Sequence, residues 1–272
     1  MKSTYVHGYD PRENIRLQDQ ASTLVKRLHS DITYPEGCRV LEAGCGVGAQ
    51  TITLAVNSSK SSIISIDISM KSLREAGQVI HNADLLNVTL CQADIFNLPF
   101  PPDSFDHVFL CFVLEHLNQP VAALKSLKRV LKNRGSLTVI EGDHGSAYFY
   151  PDSEFARRAI LCQVNLQAGA GGNALIGRAL YPLLIESGFK TVKVSPRMVY
   201  VDSSMPGLVD GFTKKTFTAM IEGIRESALG SGMIDGETFD KGIAALYRTT
   251  EPDGVFCYTF FKAVAINDAL AE

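Results

Sequence analysis

The chain has no tryptophan, no cysteine pair at C-x-x-C spacing, no excess of either charge and no apolar run long enough to cross a bilayer. Each absence excludes something. Lys plus Arg number 26 against 29 for Asp plus Glu, a formal net charge of −3. There is therefore no global basic field of the kind that holds a polyanion, which argues against a dedicated nucleic-acid enzyme and leaves room only for a local patch. The six cysteines, at 38, 45, 91, 111, 162 and 257, are scattered and match no zinc or iron–sulfur spacing. Cys45, Cys91 and Cys111 fall in or beside runs that read as buried strands, so they are expected to be reduced core thiols of a cytoplasmic protein. The longest apolar run, Val108 to Leu114, is far shorter than the roughly 20 residues of a membrane-spanning helix. Met1-Lys-Ser-Thr-Tyr-Val-His7 is short and polar and does not read as a signal peptide. What remains is an ordinary globular composition over 272 residues, enough to bury one large core.

The most informative stretch is Arg39-Val-Leu-Glu-Ala-Gly-Cys-Gly-Val-Gly-Ala-Gln-Thr51. An apolar strand runs into Glu42-x-Gly44-x-Gly46-x-Gly48, and a helix is expected from Gly48. Alternate glycines let the backbone turn sharply and approach a ligand without Cβ clashes. Bare backbone at the carboxyl end of a strand is where open α/β sheets bind nucleotides. The spacing is G-x-G-x-G preceded by an acid, not the G-x-G-x-x-G of a dinucleotide site. A nicotinamide oxidoreductase is thereby disfavoured.

Four more strands follow in order. Ser62-Ile-Ile-Ser-Ile-Asp67 ends in an acid, and so does Val88-Thr-Leu-Cys-Gln-Ala-Asp94. Phe105 to Phe112 precedes Leu114-Glu-His-Leu117, and Gly135-Ser-Leu-Thr-Val-Ile-Glu141 is the fifth. Between them lie helical repeats, such as Val121, Leu124, Leu127, Val130 and Leu131. Strand–helix alternation at this spacing implies a parallel sheet with helices on both faces and right-handed crossovers.

The order of glycine loop, acid after strand two, Ala-Asp after strand three, Phe-Asp before strand four and Leu-Glu-His-Leu after it resembles the class I S-adenosylmethionine-dependent methyltransferases. The branch is the one that includes ubiquinone and menaquinone C-methyltransferases and many small-molecule methyltransferases. The likeness is close over about residues 37–141 and holds only in outline elsewhere. It implies a doubly wound, mostly parallel α/β sheet of seven strands, with helical insertions after strand five and between strands six and seven. It implies S-adenosylmethionine as cofactor, S-adenosylhomocysteine as product, and a small-molecule acceptor. Glu42, Gly44 and Gly46 are then cofactor-site residues, the glycines beside the methionine and ribose. Asp67 falls on the ribose hydroxyls, Ile68 beside the adenine, and Asp94, followed by Ile95, near the adenine amino group. Cys111 and Phe112 pass close to the sulfonium, where an aromatic face favours a cation.

The flanks complete the organisation expected of one domain over 1–272. Asp10-Pro-Arg-Glu13 is a helix-start signal, and Leu17, Ala21, Leu24 and Leu28 form an apolar stripe. Residues 1–36 therefore read as a helical lid over a core at 37–150, with Tyr9, Arg16 and Gln20 as candidate cofactor contacts. Arg16 is suited to a forked contact with the cofactor carboxylate. Residues 151–272 read as substrate-side helices and a terminal antiparallel pair, Lys190–Val201 and Val255–Ala265. The mostly helical insertion at 203–250 is expected to serve as a lid or a homodimer contact. Gly142 to Pro151 reads as a loop after strand five. It offers His144 as the general base and Tyr148 as the group that positions the acceptor. No metal site is expected. The sequence does not choose the acceptor atom, and an RNA or protein methyltransferase or a non-catalytic cofactor-binding protein stay open.

Overall fold

Five apolar runs become five parallel strands in the computed structural model, which describes residues 23–25 and 27–268. They are β1 (Arg39–Ala43), β2 (Ser62–Asp67), β3 (Val88–Gln92), β4 (Phe105–Cys111) and β5 (Leu131–Gly142). Their order across the sheet is β3-β2-β1-β4-β5, every pair parallel. The order reverses at β1, so the carboxyl ends of β1 and β4 flank the crevice where open α/β sheets take ligands.

Three of the four crossovers are helical, through α1 (Thr51–Asn57), α2 (Met70–Asn82) and α3 (Pro120–Val130), while β3 runs to β4 through turns alone. In α2 the Ser69 hydroxyl accepts the Ser72 N–H, and Leu73, Ala76 and Ile80 form the buried stripe. Helix α1 starts three residues later than the expected Gly48, because Gly48 sits at φ 81° and the chain must leave the left-handed region first.

Beyond β5 the sheet turns antiparallel. Strands β6 (Tyr148–Tyr150), β7 (Thr191–Asp202) and β8 (Val255–Ile266) complete it. Strand β8 pairs β5 and β6 on one side and β7 along its whole length on the other. The sheet therefore has eight strands where the pattern predicts seven. The extra one, β6, is too short to carry a periodic signal. It forms because β8 extends past the end of β5 and leaves Val255–Cys257 with backbone groups to pair.

Helix α4 (Glu154–Gly169), capped by Ser153, follows β6, and a 3₁₀ turn (Ile176–Ala179) leads into α5 (Leu180–Glu186). The connection from β7 to β8 holds one turn (Pro206–Leu208), a π-helix (Val209–Thr218), α6 (Ala219–Gly223), α7 (Arg225–Gly230) and α8 (Gly236–Arg248). The two faces of the sheet carry separate cores. One contains Leu41, Leu110, Leu124, Leu127, Val139 and Leu180 under α3 and α5. The other contains Leu24, Leu28, Val40, Leu54, Phe109 and Ile140 together with the rings of β8 and the π-helix. Leu24 and Leu28 are the described half of the N-terminal apolar stripe; Leu17 and Ala21 lie outside the described residues. Cys45 and Cys111 are buried as expected, whereas Cys91 is only half-buried because β3 is the outermost strand on its side.

Candidate functional site

The first turn after β1 is a run of left-handed glycines, with φ of 76° at Gly44, 54° at Gly46 and 81° at Gly48. Two positions show why glycine is required. A Cβ on Gly44 would stand 2.6 Å from Val113 Cγ2, so the segment after β4 packs on a bare Cα. A Cβ on Gly46 would meet nothing within 4 Å, which leaves that side of the loop open to a ligand.

The loop is tied to β2. Gly44 N and Cys45 N both donate to the Ile66 carbonyl, at 2.8 and 2.9 Å. Gly46 N donates to Asp67 Oδ2 at 2.9 Å, and Ser69 N to Asp67 Oδ1 at 2.8 Å. Burial raises the Asp67 pKa, while the backbone N–H groups of Ser69, Gly46 and Ile68 oppose the rise. A carboxylate has about four lone-pair positions, so these bonds leave acceptor capacity for a ribose hydroxyl.

Glu42 is a correction. It is buried behind the loop, where Oε2 accepts the Thr51 hydroxyl at 2.7 Å and the Ser65 hydroxyl at 2.6 Å. Strand alternation turns its side chain into the protein, so it supports the loop from behind and does not line the crevice.

The other expected cofactor residues line up along the same sheet edge. Ile68, 63% exposed, follows β2, and its carbonyl accepts Gln92 Nε2 at 2.9 Å. Asp94 and half-buried Ile95 follow β3; Asp94 spends Oδ1 on the Phe96 N–H at 2.9 Å, closing its own turn. Cys111 ends β4. Burial pushes its thiol pKa well up, and the nearby Glu141, Glu42 and Glu115 carboxylates push the same way, so it is no thiolate nucleophile. Phe112 sits at φ 59°, donates its N–H to the Ile140 carbonyl at 2.9 Å, and places its ring 5.5 Å from Phe260. Tyr9, Arg16 and Gln20 lie outside the described residues.

The loop after β5 differs from expectation in two respects. His144 is buried on a 3₁₀ turn (His144–Ser146), with Nδ1 2.9 Å from the Tyr258 hydroxyl and its ring 6.2 Å from that of Phe217. The acid next to it in sequence is not its partner: Asp143 binds Arg178 through two bonds of 2.6 and 2.7 Å and also accepts the Gly145 N–H. Tyr148 is 64% exposed on β6, on the face opposite buried Phe149, and so points away from the other candidates. Its register is set by pairing with Cys257, and alternation then turns it outward.

Two residues escape the sequence reading. Tyr258 has no local signal, because it meets His144 only through the β8 pairing. Glu141 does have one: a carboxylate closing the otherwise apolar Leu137-Thr-Val-Ile run of β5. Among the described residues there is no cluster of metal-ligating side chains, and no helix is long and apolar enough to cross a membrane.

Comparison with known proteins adds three findings. A methyltransferase domain model matches residues 35–184. A demethylmenaquinone methyltransferase of Staphylococcus saprophyticus is 32% identical over 134 residues, which are 49% of this chain and 57% of that protein. The chain spans little more than half the length of the first curated relatives it matches. Among solved structures, phosphoethanolamine N-methyltransferase 2 of Haemonchus contortus, in complex with phosphomonomethylethanolamine and S-adenosylhomocysteine, superposes with a TM-score of 0.56 at 17% identity, over 92% of this chain and 53% of that one. The 4+2 cyclase SpnF also has a TM-score of 0.56, at 16% identity, over 92% of this chain and 81% of that one. At these identities the structures show the shared fold alone, and the cyclase illustrates that the fold hosts more than one chemistry.

Proposed function

The chain belongs to the methyltransferase domain family, and from that premise we propose that it transfers a methyl group from S-adenosylmethionine to a small-molecule acceptor. The observation that carries the proposal is the strip at the carboxyl ends of β3, β2, β1 and β4. There the Asp67 carboxylate after β2, the open side of Gly46 after β1 and Phe112 after β4 follow one another in the order a nucleoside sulfonium would need. These residues fit the cofactor: space at the glycine loop, acceptors for the ribose hydroxyls, and an aromatic face for the cation. The demethylmenaquinone relative is consistent with a small-molecule acceptor.

When bound, the cofactor supplies a methyl group on a positively charged sulfur, displaced in line by the acceptor. The chain's own residues do the rest. The glycine loop and Asp67 fix the nucleoside, and orientation of this kind is worth roughly 7–11 kcal/mol of the barrier. On the acceptor side, rings extend from Phe112 through Phe260 and Tyr258 to Phe217 and His144. They exclude water from the direction in which the acceptor approaches. Tyr258 is fully buried, and burial, with the nearby Glu115 and Asp143 charges, pushes its phenol far up, so it remains protonated. His144 Nδ1 and the Tyr258 hydroxyl share a hydrogen bond of 2.9 Å that orients the imidazole, and the imidazole is the group that takes the acceptor's proton.

Asp67 provides the test of cofactor recognition. Asp67→Ala should weaken S-adenosylhomocysteine binding by about 1.5–3 kcal/mol, the worth of hydrogen bonds to a charged group. Ribose hydroxyls donate to the ionised carboxylate, so affinity should fall as pH falls through the Asp67 pKa. Because burial holds that value above the ordinary 3.8, the loss should set in above the usual aspartate range, and Asp67→Asn should flatten it. Calorimetry from pH 7 downward reads both effects. Unchanged affinity in a folded Asp67→Ala protein would remove the assignment. Transfer of labelled methyl from S-adenosylmethionine to a metabolite panel, against RNA and protein panels, separates the small-molecule reading from its alternatives; transfer to none indicates a binding protein.

A further inference from the structure

We propose that Glu141, which no step above uses, is a positioning residue: it clamps the segment after β4 against the glycine loop and so shapes the cofactor cleft. The proposal rests on reading that loop as the cofactor site.

Glu141 is the penultimate residue of β5 and is wholly buried. A carboxyl group is costly there unless it is hydrogen-bonded. Its Oε1 accepts two backbone donors, Val113 N at 3.0 Å and Leu114 N at 2.7 Å. These are amides at the entry to the 3₁₀ turn Leu114–His116, where N–H groups have no partner within the turn. The same turn is held from the other side, where the Glu115 carbonyl accepts Gln167 Nε2 at 2.9 Å and Asn173 N at 2.8 Å. The segment is thus fixed to β5 by the Glu141 side chain, and to α4 and the residues after it by the Gln167 side chain and the Asn173 N–H.

The clamp delivers the Val113 side chain. Its Cγ2 lies 2.6 Å and its Cγ1 3.0 Å from the point a Gly44 Cβ would occupy, so both methyls press on the bare face of that glycine. On the opposite side the loop hangs from the Ile66 carbonyl and Asp67. A loop with three left-handed residues is therefore gripped between two walls. One wall belongs to β2, and the other is Val113 as Glu141 holds it.

The hold does not depend on charge. Burial first, and then the neighbouring Glu115, disfavour ionisation of Glu141, while the backbone amides of Leu114, Val113 and Glu115 oppose them. The carbonyl oxygen of a neutral acid accepts both N–H groups in the same geometry, and a glutamine places the same oxygen there.

The test is a calorimetric titration of S-adenosylhomocysteine into the wild type, Glu141→Gln, Glu141→Leu and Val113→Ala, with thermal unfolding of each protein alongside. Glu141→Gln should bind within about threefold of the wild type, while Glu141→Leu and Val113→Ala should lose about tenfold, the scale of coupling through residues that do not touch the ligand. Val113 is only half-buried, so Val113→Ala carries the test even where Glu141→Leu does not fold. Wild-type affinity in Val113→Ala overturns the clamp and leaves the cofactor reading standing, as does a Glu141→Gln protein that folds normally but binds about tenfold more weakly. A wild type that does not bind S-adenosylhomocysteine overturns both.

Discussion

Replacing His144 with alanine is expected to lower methyl transfer by about 10²–10⁴-fold while leaving S-adenosylhomocysteine affinity nearly unchanged. The separation follows from geometry. His144 follows β5, whereas Gly44, Gly46 and Asp67 sit at the ends of β1 and β2, with β4 lying between β1 and β5. Its ring is connected to the acceptor side, through the Tyr258 hydroxyl at 2.9 Å and the Phe217 ring. Tyr258→Phe removes the partner that orients Nδ1 and should cost less, about tenfold, because the imidazole remains. Single-turnover kinetics with a labelled cofactor and the identified acceptor reads both variants. Normal turnover in His144→Ala would mean that the acceptor arrives neutral and nucleophilic, and that proximity suffices.

Gly44→Ala is expected to have the largest effect on the cofactor site. Two penalties coincide at this position. An L-residue at φ 76° costs roughly 1–2 kcal/mol, and a Cβ 2.6 Å from Val113 Cγ2 forces an overpacking rearrangement of about 1–3 kcal/mol. The loop can relieve the clash only by moving off Val113 or off the Ile66 carbonyl, and either movement displaces the Gly46 N–H from Asp67. Cofactor binding should therefore be lost at accessible concentrations, with a lowered melting temperature. Adding Val113→Ala should recover part of the stability by removing the clashing methyls, while the φ penalty persists. Calorimetry and thermal unfolding of the single and double variants check this. A Gly44→Ala protein that binds normally would show that the loop is not held as described.

The glycine loop was legible in the sequence because its requirements are local. Positive φ and a close backbone approach call for glycine at fixed spacing, and an acid at the end of the next strand completes the pattern. Asp67 was legible on that ground. Glu42 belonged to the same pattern, yet its direction depends on strand alternation, and its partners Thr51 and Ser65 come from α1 and β2. Tyr148 was misread for a related reason. A three-residue strand has no period of its own, and its register is imposed by β8, more than a hundred residues on. Asp143 is next to His144 in sequence, but Arg178 approaches from the turn before α5 and takes its carboxylate. The π-helix was not foreseeable either. The composition of Val209–Thr218 suits an α-helix equally well. The five-residue step from Phe212 to Phe217 instead keeps both rings on the rings of β8.

Methyl transfer as proposed requires binding of S-adenosylmethionine in the crevice between β1 and β4, through the glycine loop and Asp67. That binding is tested most directly by calorimetric titration of the wild-type protein with S-adenosylhomocysteine and, separately, with NAD. Saturable one-to-one binding of S-adenosylhomocysteine, weakened in Asp67→Ala, is expected, with no heat of binding for NAD. Binding of NAD in place of S-adenosylhomocysteine, or S-adenosylhomocysteine binding that Asp67→Ala leaves intact, would contradict the proposal.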